Sequence, residues 1–193
     1  MTVRTVGRPP VTSREDIERV AMRLFSERGF DATTVEDIAA AAGIGRRTFF
    51  RYFGSKNDVV WGRFAEGLVE LRETLDAAPV DVSLGEALRA AIVAFNALPA
   101  DQVPVHRQRM TVIFSAESLL AHSTLMYAEW RAVVAEFVGR RIDQPATALL
   151  PRLVGHVMLA AAVTAYEQWL AEPTADLALL LDTTVRQAEL AIG

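Results

Sequence analysis

Between residues 34 and 56 the chain reads Thr-Val-Glu-Asp-Ile-Ala-Ala-Ala-Ala-Gly-Ile-Gly-Arg-Arg-Thr-Phe-Phe-Arg-Tyr-Phe-Gly-Ser-Lys, and no other stretch constrains the fold as tightly. Thr34 is a cap residue with Asp37 three positions on, an arrangement that satisfies two free N–H groups at a helix start. Val35, Ile38, Ala39 and Ala42 recur at helical spacing, and Gly43 supplies the stop. A short turn follows. Gly45 then caps a second helix, less well than serine would. Ile44 before the cap and Phe49 beyond it are spaced for a hydrophobic staple. Phe49 and Phe53, one turn apart, turn to a small core and leave Arg46, Arg47, Phe50 and Arg51 outward. A capped helix, a glycine stop, a tight turn and a basic second helix, in that order, spell a helix-turn-helix. In such a unit the second helix enters the DNA major groove.

The rest of the chain also reads as helix. Ser13 caps a first helix whose Ile17, Val20, Ala21, Leu24 and Phe25 form one stripe of 3.6-residue period, ended by Gly29. Asn57 is expected to cap a long fourth helix lined by Val60, Phe64, Leu68, Leu71 and Leu75, with Pro79 as its stop. Further helices are expected near 83–98 (capped by Ser83), 102–121, 123–142 (Ser123), 147–171 and 174–192 (Thr174). The fold class is therefore all-α, with about nine helices. Residues 1–12 lack periodicity and form an arm, 13–56 a three-helix DNA-binding domain, and 57–193 a helical bundle for effector binding and dimerisation.

Net charge is −4 over 193 residues, which at first argues against a nucleic-acid partner. The distribution reverses that. Residues 1–60 hold ten Arg or Lys against eight Asp or Glu, and residues 61–193 hold ten against sixteen. A basic face on an acidic body can hold phosphate while the body discourages indiscriminate adhesion. There are no cysteines, which excludes disulfides and thiolate chemistry and fits a reducing cytoplasm. The first ten residues carry no apolar segment of a secretory signal. No apolar run is expected to reach the roughly 18 residues that cross a bilayer, so no membrane partner is expected.

Each residue of the basic unit has a physical role available. Arg46, Arg47 and Thr48 open the reading helix, where arginine can donate two parallel bonds to guanine. Arg51, Tyr52 and Lys56 lie further along, placed for backbone. Thr33 and Thr34 offer hydroxyls and N–H groups to a phosphate. Phe50 can rest on deoxyribose, and Arg8, with Arg4, can reach a minor groove from the arm.

On these residues the chain resembles the TetR family of transcriptional regulators. That family's signature runs roughly Ala-Gly-Val-Ser-x-x-Thr-x-Tyr-x-Tyr-Phe-x-x-Lys. Here Ala42-Gly43-Ile44-Gly45-Arg46-Arg47-Thr48-Phe49-Phe50-Arg51-Tyr52-Phe53-Gly54-Ser55-Lys56 stands in its place. The preceding Leu24-Phe25-Ser26-Glu27-Arg28-Gly29-Phe30 also matches. Gly45 replaces the usual serine and removes a capping oxygen. Phe50 replaces a tyrosine whose hydroxyl often bonds phosphate, and Arg47 replaces a frequent glycine. The string from Gly45 to Gly62 further resembles actinobacterial TetR regulators encoded beside mycofactocin biosynthesis genes. That resemblance implies control of a redox-cofactor operon, with long-chain acyl-CoA as effector; the alternative is another operon and another hydrophobic effector.

In the larger half, Leu149, Leu150, Leu153, Val154, Val157, Met158, Ala161 and Ala162 make a helix apolar almost all round, which asks for burial on several sides. The resemblance implies that the last two helices pair across a two-fold axis. Leu153, Val157, Met158, Ala161, Leu177 and Leu181 are the candidate homodimer interface. Two reading helices roughly 34–36 Å apart would then read a pseudo-palindromic double-stranded operator. An effector site is expected between helices of the bundle. Its candidate lining is Phe95, Met110, Ile113, Phe114, Tyr127, Trp130, Phe137, Tyr166 and Trp169, with Arg107, Arg109 and Arg131 as anion anchors.

The rival class is a small helical enzyme. His106, His122 and His156 lack metal-ligand spacing, and the chain has no phosphate loop, nucleophile elbow or HExxH. No catalytic residue, metal or cofactor is expected.

Overall fold

The computed structural model describes residues 13–192. Among them are ten helices and no strand. These are α1 (Arg14–Arg28), α2 (Val35–Ala42), α3 (Arg46–Tyr52), α4 (Lys56–Trp61) and α5 (Phe64–Asp76), then α6 (Leu84–Phe95), α7 (Val103–Ser115), α8 (Glu117–Arg141), α9 (Leu149–Ala171) and α10 (Leu177–Ile192). The all-α expectation holds. The extra helix arises because the expected fourth helix is broken. Gly62 takes φ 55° and ψ −118°, a conformation that side chains with a Cβ resist. Its N–H closes α4 on the Asp58 carbonyl at 3.1 Å, and α5 begins afresh at Phe64. The apolar stripe is nevertheless right, since Val60, Leu68, Leu71 and Leu75 are all buried.

The chain divides into two compact units, one up to Gly62 together with Val112–Leu120, the other Arg63–Thr111 with Ala121 onward. The division falls after α4, six residues beyond the boundary expected from sequence, and takes the junction of α7 and α8 into the first unit.

In the first unit the helix ends are set by short-range bonds. The Ser13 hydroxyl accepts from the Asp16 N–H at 3.1 Å. Thr34 and Asp37 form a full capping box, with Asp37 N–H to Thr34 Oγ1 at 3.1 Å and Thr34 N–H to Asp37 Oδ2 at 2.9 Å. Gly43 ends α2 in the left-handed region at φ 69°, ψ 28°, where glycine alone is unstrained. A second capping box starts α4, and its cap is Ser55, not Asn57: Ser55 N–H donates to Asp58 Oδ2 at 3.0 Å. Serine wins because an acid stands three residues after it, completing the reciprocal pair that Asn57 lacks. The core gathers Ile17, Leu24, Phe25, Phe30, Ile38, Phe49, Phe53 and Val59, with the Phe49 and Phe53 rings 5.5 Å apart.

In the second unit α10 packs along α9 and α6, and α6 against α5. Gly155 brings α9 so near α8 that a Cβ there would stand 3.0 Å from the Arg131 carbonyl oxygen. Two expected caps are corrected. Ser123 is buried in the middle of α8, which starts at Glu117. Asp176, not Thr174, caps α10, accepting from the Leu179 N–H at 3.1 Å. A third correction concerns α9. Its mean hydropathy reaches 1.4 over 18 residues, so by length and composition it could cross a bilayer, against the expectation that no run would. Its apolar residues include Val154, Met158, Ala165 and Trp169, all buried within the protein.

Candidate nucleic-acid interface

The first turn of α3 presents Arg46 and Arg47 on the surface, with Thr48 half-buried behind them. Phe49, fully buried, and Phe53, 2% exposed, fix the helix by its opposite side. The two arginines differ. Arg46 pairs with Glu36 of α2 and lies 5.4 Å from the Phe50 ring centroid. Arg47 has no hydrogen-bond or ion-pair partner among the described residues. Phe50 is 43% exposed and stands edge-on to Phe49. Arg51 lies over the Tyr52 ring at 5.1 Å and is likewise exposed. These side chains form one outward face, cationic and aromatic together, as backbone contact and base reading both require. Arg8 and Arg4 lie outside the described residues.

Three expected phosphate contacts are placed differently. Thr33 is fully buried, and its hydroxyl donates to the Gly29 carbonyl at 2.8 Å, so it cannot reach DNA. The Thr34 hydroxyl is spent on Asp37, donating to Oδ2 at 2.6 Å. Those bonds hold the Asp37 carboxyl below the usual carboxylate range, its partnership with the Thr34 hydroxyl first. Lys56 turns inward: its ammonium donates to the Phe30 carbonyl at 2.7 Å and to the Thr33 carbonyl at 2.9 Å. It also lies 4.1 Å from the Phe30 ring centroid. Partial burial lowers its pKa, and the charge of Asp31 acts the other way. Lys56 ties the α1–α2 connection to the start of α4, with one N–H left over.

Sequence reading missed Arg14. Its guanidinium donates to the carbonyls of Tyr52 at 3.3 Å and Gly62 at 3.2 Å, and lies 4.6 Å from the Phe53 centroid. It thereby secures the C-terminal ends of both α3 and α4. No pattern of residue types could have found it, because its partners are backbone oxygens.

In the second unit, the candidate effector residues are mostly core. Met110, Trp130, Phe137, Tyr166 and Trp169 are buried, while Phe95 and Tyr127 are half-buried. Burial pushes the Tyr127 hydroxyl up, opposed by a bond from Ser123. Ile113 and Phe114 fall within the first unit instead. A polar chain threads this core. Tyr166 donates to Asn96 Oδ1 at 2.8 Å, so His106 Nε2 donates to the tyrosine oxygen at 2.9 Å, and Asn96 in turn donates to the Ile92 carbonyl at 2.8 Å. Burial, aided by the charge of Arg109, lowers the His106 pKa to about 4. Arg107 is not a free anion anchor: it lies 3.9 Å from the Trp169 centroid and donates to the Trp169 and Pro173 carbonyls.

Of the expected dimer residues, Leu153 is 47% exposed and Val157 half-buried. Met158, Ala161, Leu177 and Leu181 face the protomer's own core and cannot meet a second copy. The periodicity that singled them out marks the inward side of each helix. The open apolar residues nearby are Leu149, Leu150, Leu153 and Leu179.

Comparison with known proteins agrees with this architecture. Residues 17–60 match the bacterial regulatory proteins of the tetR family, and residues 82–191 match the MftR C-terminal domain. The chain is 44% identical over 172 residues to a Mycobacterium tuberculosis protein proposed as the mycofactocin biosynthesis transcriptional regulator MftR, covering 89% of this chain and 87% of that one. Among solved structures it resembles Thermus thermophilus FadR, a TetR-family repressor in complex with lauroyl-CoA, at TM-score 0.57 and 24% identity, covering 92% and 93% of the two chains. It also resembles Bacillus subtilis FadR in complex with stearoyl-CoA, at TM-score 0.64 and 14% identity, covering 91% and 97%. At those identities the likeness is one of fold. The two domain matches and the near-full-length relative show that the chain belongs to the TetR family of transcriptional regulators, in the branch carrying the MftR C-terminal domain.

Proposed function

We propose that the protein acts in the cytoplasm as a homodimeric repressor of mycofactocin genes, released from a pseudo-palindromic operator by long-chain acyl-CoA. The observation that carries the DNA half is Arg47: a cation at the first turn of α3, exposed, and without a partner among the described residues. Arg46 and Arg51 flank it, and the backbone of α3 is held by Arg14 and by the buried Phe49 and Phe53. Such a rigid support lets one side chain select a base. Glu36 holds Arg46, so Arg46 would exchange that carboxylate for a phosphate on binding. The dimer would use Leu149, Leu153 and Leu179, the open apolar residues of α9 and α10. The acyl-CoA reading draws on the identity to the M. tuberculosis relative and on the acyl-CoA complexes of the two FadR proteins. An effector acts by preferring one spacing of the reading heads, and α4 and α5, joined at Gly62, are the covalent route to them.

The test is fluorescence anisotropy on a labelled duplex from the mycofactocin upstream region, at two salt concentrations, with oleoyl-CoA titrated in. Tight, salt-sensitive binding that oleoyl-CoA releases is the expected result. Tight binding indifferent to oleoyl-CoA removes that effector and keeps the DNA reading. Failure to bind that duplex above a scrambled one removes the operon assignment.

A further inference from the structure

We propose that the crossing of α8 and α9 is an anion-binding site that takes a nucleotide-sized phosphate ester, with Arg131, Arg152 and His156 as its binding groups. The three line one open groove of about 390 Å³, together with Ala128, Ala132 and Ala135. That volume lies within the usual range for small-molecule sites, roughly 300–1,000 Å³.

The local sequence explains why the cations meet there. Gly155 is buried and lets α9 approach the Arg131 backbone. Arg152 and His156 are four residues apart on α9, and so share a face one turn apart beside that contact. None of the three has a hydrogen-bond or ion-pair partner among the described residues. Elsewhere in this unit arginines are engaged: Arg72 with Glu136, Arg89 with Asp182, Arg140 with Asp76, Arg107 with backbone carbonyls. The one carboxylate on the groove, Glu136, already accepts from Arg72 at 2.8 Å. Two guanidinium groups brought to one groove with no acid between them repel each other, and a bound dianion removes that cost while accepting bidentate bonds. The positive end of α9 adds to the same field. Its cap residue is Ala148, which supplies no side-chain bond, and Thr147 of the preceding loop lines the groove.

The floor narrows the ligand class. Ala128, Ala132 and Ala135 offer only methyl groups, a shallow apolar strip on which a flat ring can lie while its phosphates face the arginines. Bare phosphate would leave that strip uncovered.

Isothermal titration of the full-length protein with adenosine 3′,5′-bisphosphate tests the site, with adenosine and inorganic pyrophosphate as companions. These probes carry no acyl chain and the readout involves no DNA, so failure here is distinct from failure of the acyl-CoA reading. The bisphosphate should bind and weaken with added salt, and adenosine should not. Weaker binding of pyrophosphate supports the role of the alanine strip; adenosine binding as well as the bisphosphate overturns the proposal. Arg131→Ala with Arg152→Ala should lower affinity at least tenfold, as removal of two charge-assisted partners requires. His156→Ala, an exposed change that leaves folding intact, should lower it several-fold. Arg140→Ala, nearby but engaged by Asp76, should leave it unchanged. Absence of bisphosphate binding at millimolar concentration overturns the site. So does a double variant that changes only the oligomeric state in sedimentation, which would assign the groove to a second copy of the chain.

Discussion

The two units fasten their helices over very different distances along the chain. In residues 13–62 the ends of α1, α2 and α4 are set by bonds between residues three apart: Ser13 with Asp16, Thr34 with Asp37, Ser55 with Asp58. In the second unit the polar bonds reach across the fold. His106 meets Tyr166 sixty positions away, Arg72 meets Glu136 at 64, and Arg89 meets Asp182 at 93. A reading head needs a fixed backbone in few residues, and local caps supply it. A bundle that holds a ligand needs helices that can be repacked, and long-range polar bonds hold such helices without fusing them. The comparison predicts that the units should respond to different insults.

The largest effect belongs to the small core. Phe49→Ala removes a fully buried ring from the first unit and should cost about 3–5 kcal/mol there. If the units are held separately, calorimetry of this variant should show an early transition carrying a minor share of the heat, with the second unit melting near its wild-type temperature. One merged transition, shifted as a whole, would break the comparison at its root.

Acid should act on the other unit. His106 is neutral in the fold because burial first, and Arg109 second, lower its pKa to about 4. The unfolded chain takes up a proton near pH 6.5 while the folded chain does not. Stability is therefore fully present above about pH 6.5 and falls as pH drops towards about 4, by up to about 3 kcal/mol. His106→Gln, which keeps an N–H for Tyr166, should remove that slope. Urea titrations from pH 7.5 to 4.5 decide it: equal slopes in the two proteins would show that this histidine does not drive the acid response.

The difference in bond length along the chain also explains what was legible in sequence. The caps at Ser13, Thr34 and Ser83, the stops at Gly29 and Gly43, and the core role of Phe49 and Phe53 were readable because each depends on neighbours within four residues. Where long bonds enter the first unit, reading failed in the same way as in the second. Lys56 looked like a phosphate ligand from its position, yet Phe30 and Thr33 claim it across 26 and 23 residues. Thr33 looked like a donor at a helix start, yet the turn buries it against Gly29. Met158 and Leu181 failed for another reason: in a helix apolar all round, periodicity does not tell which side faces the protomer and which faces out.

A mid-sized effect separates reading from support. Arg47→Ala removes an exposed side chain without a partner among the described residues, so folding stability should stay within about 0.5 kcal/mol. DNA discrimination should fall by about 1–3 kcal/mol at one base pair. Lys56→Ala should do the reverse, lowering the melting temperature because the Phe30 and Thr33 carbonyls lose their donor, and weakening all duplexes alike. If Arg47→Ala weakens every sequence equally, Arg47 meets phosphate and base reading belongs to another residue.

The smallest effect tests whether the local code is as local as the capping boxes imply. Ser55 and Asn57 are both good cap residues two positions apart, and either could open α4 by residue type alone. Asp58 decides between them, since it stands three residues after Ser55 and only one after Asn57. The Ser55 N–H and hydroxyl both bond its carboxylate, at 3.0 Å and 2.8 Å. Ser55→Ala should then cost about 1 kcal/mol, the usual loss of a cap, while Asn57→Ala should cost close to nothing. Asp58→Asn should fall between, because the amide keeps an acceptor for the Ser55 N–H but loses the charge at the helix start. Equal losses for Ser55→Ala and Asn57→Ala, measured by thermal melting at pH 7, would mean that α4 is held by Arg14 and the buried Val59 and Val60. In that case the first unit, like the second, would depend on contacts far apart in sequence.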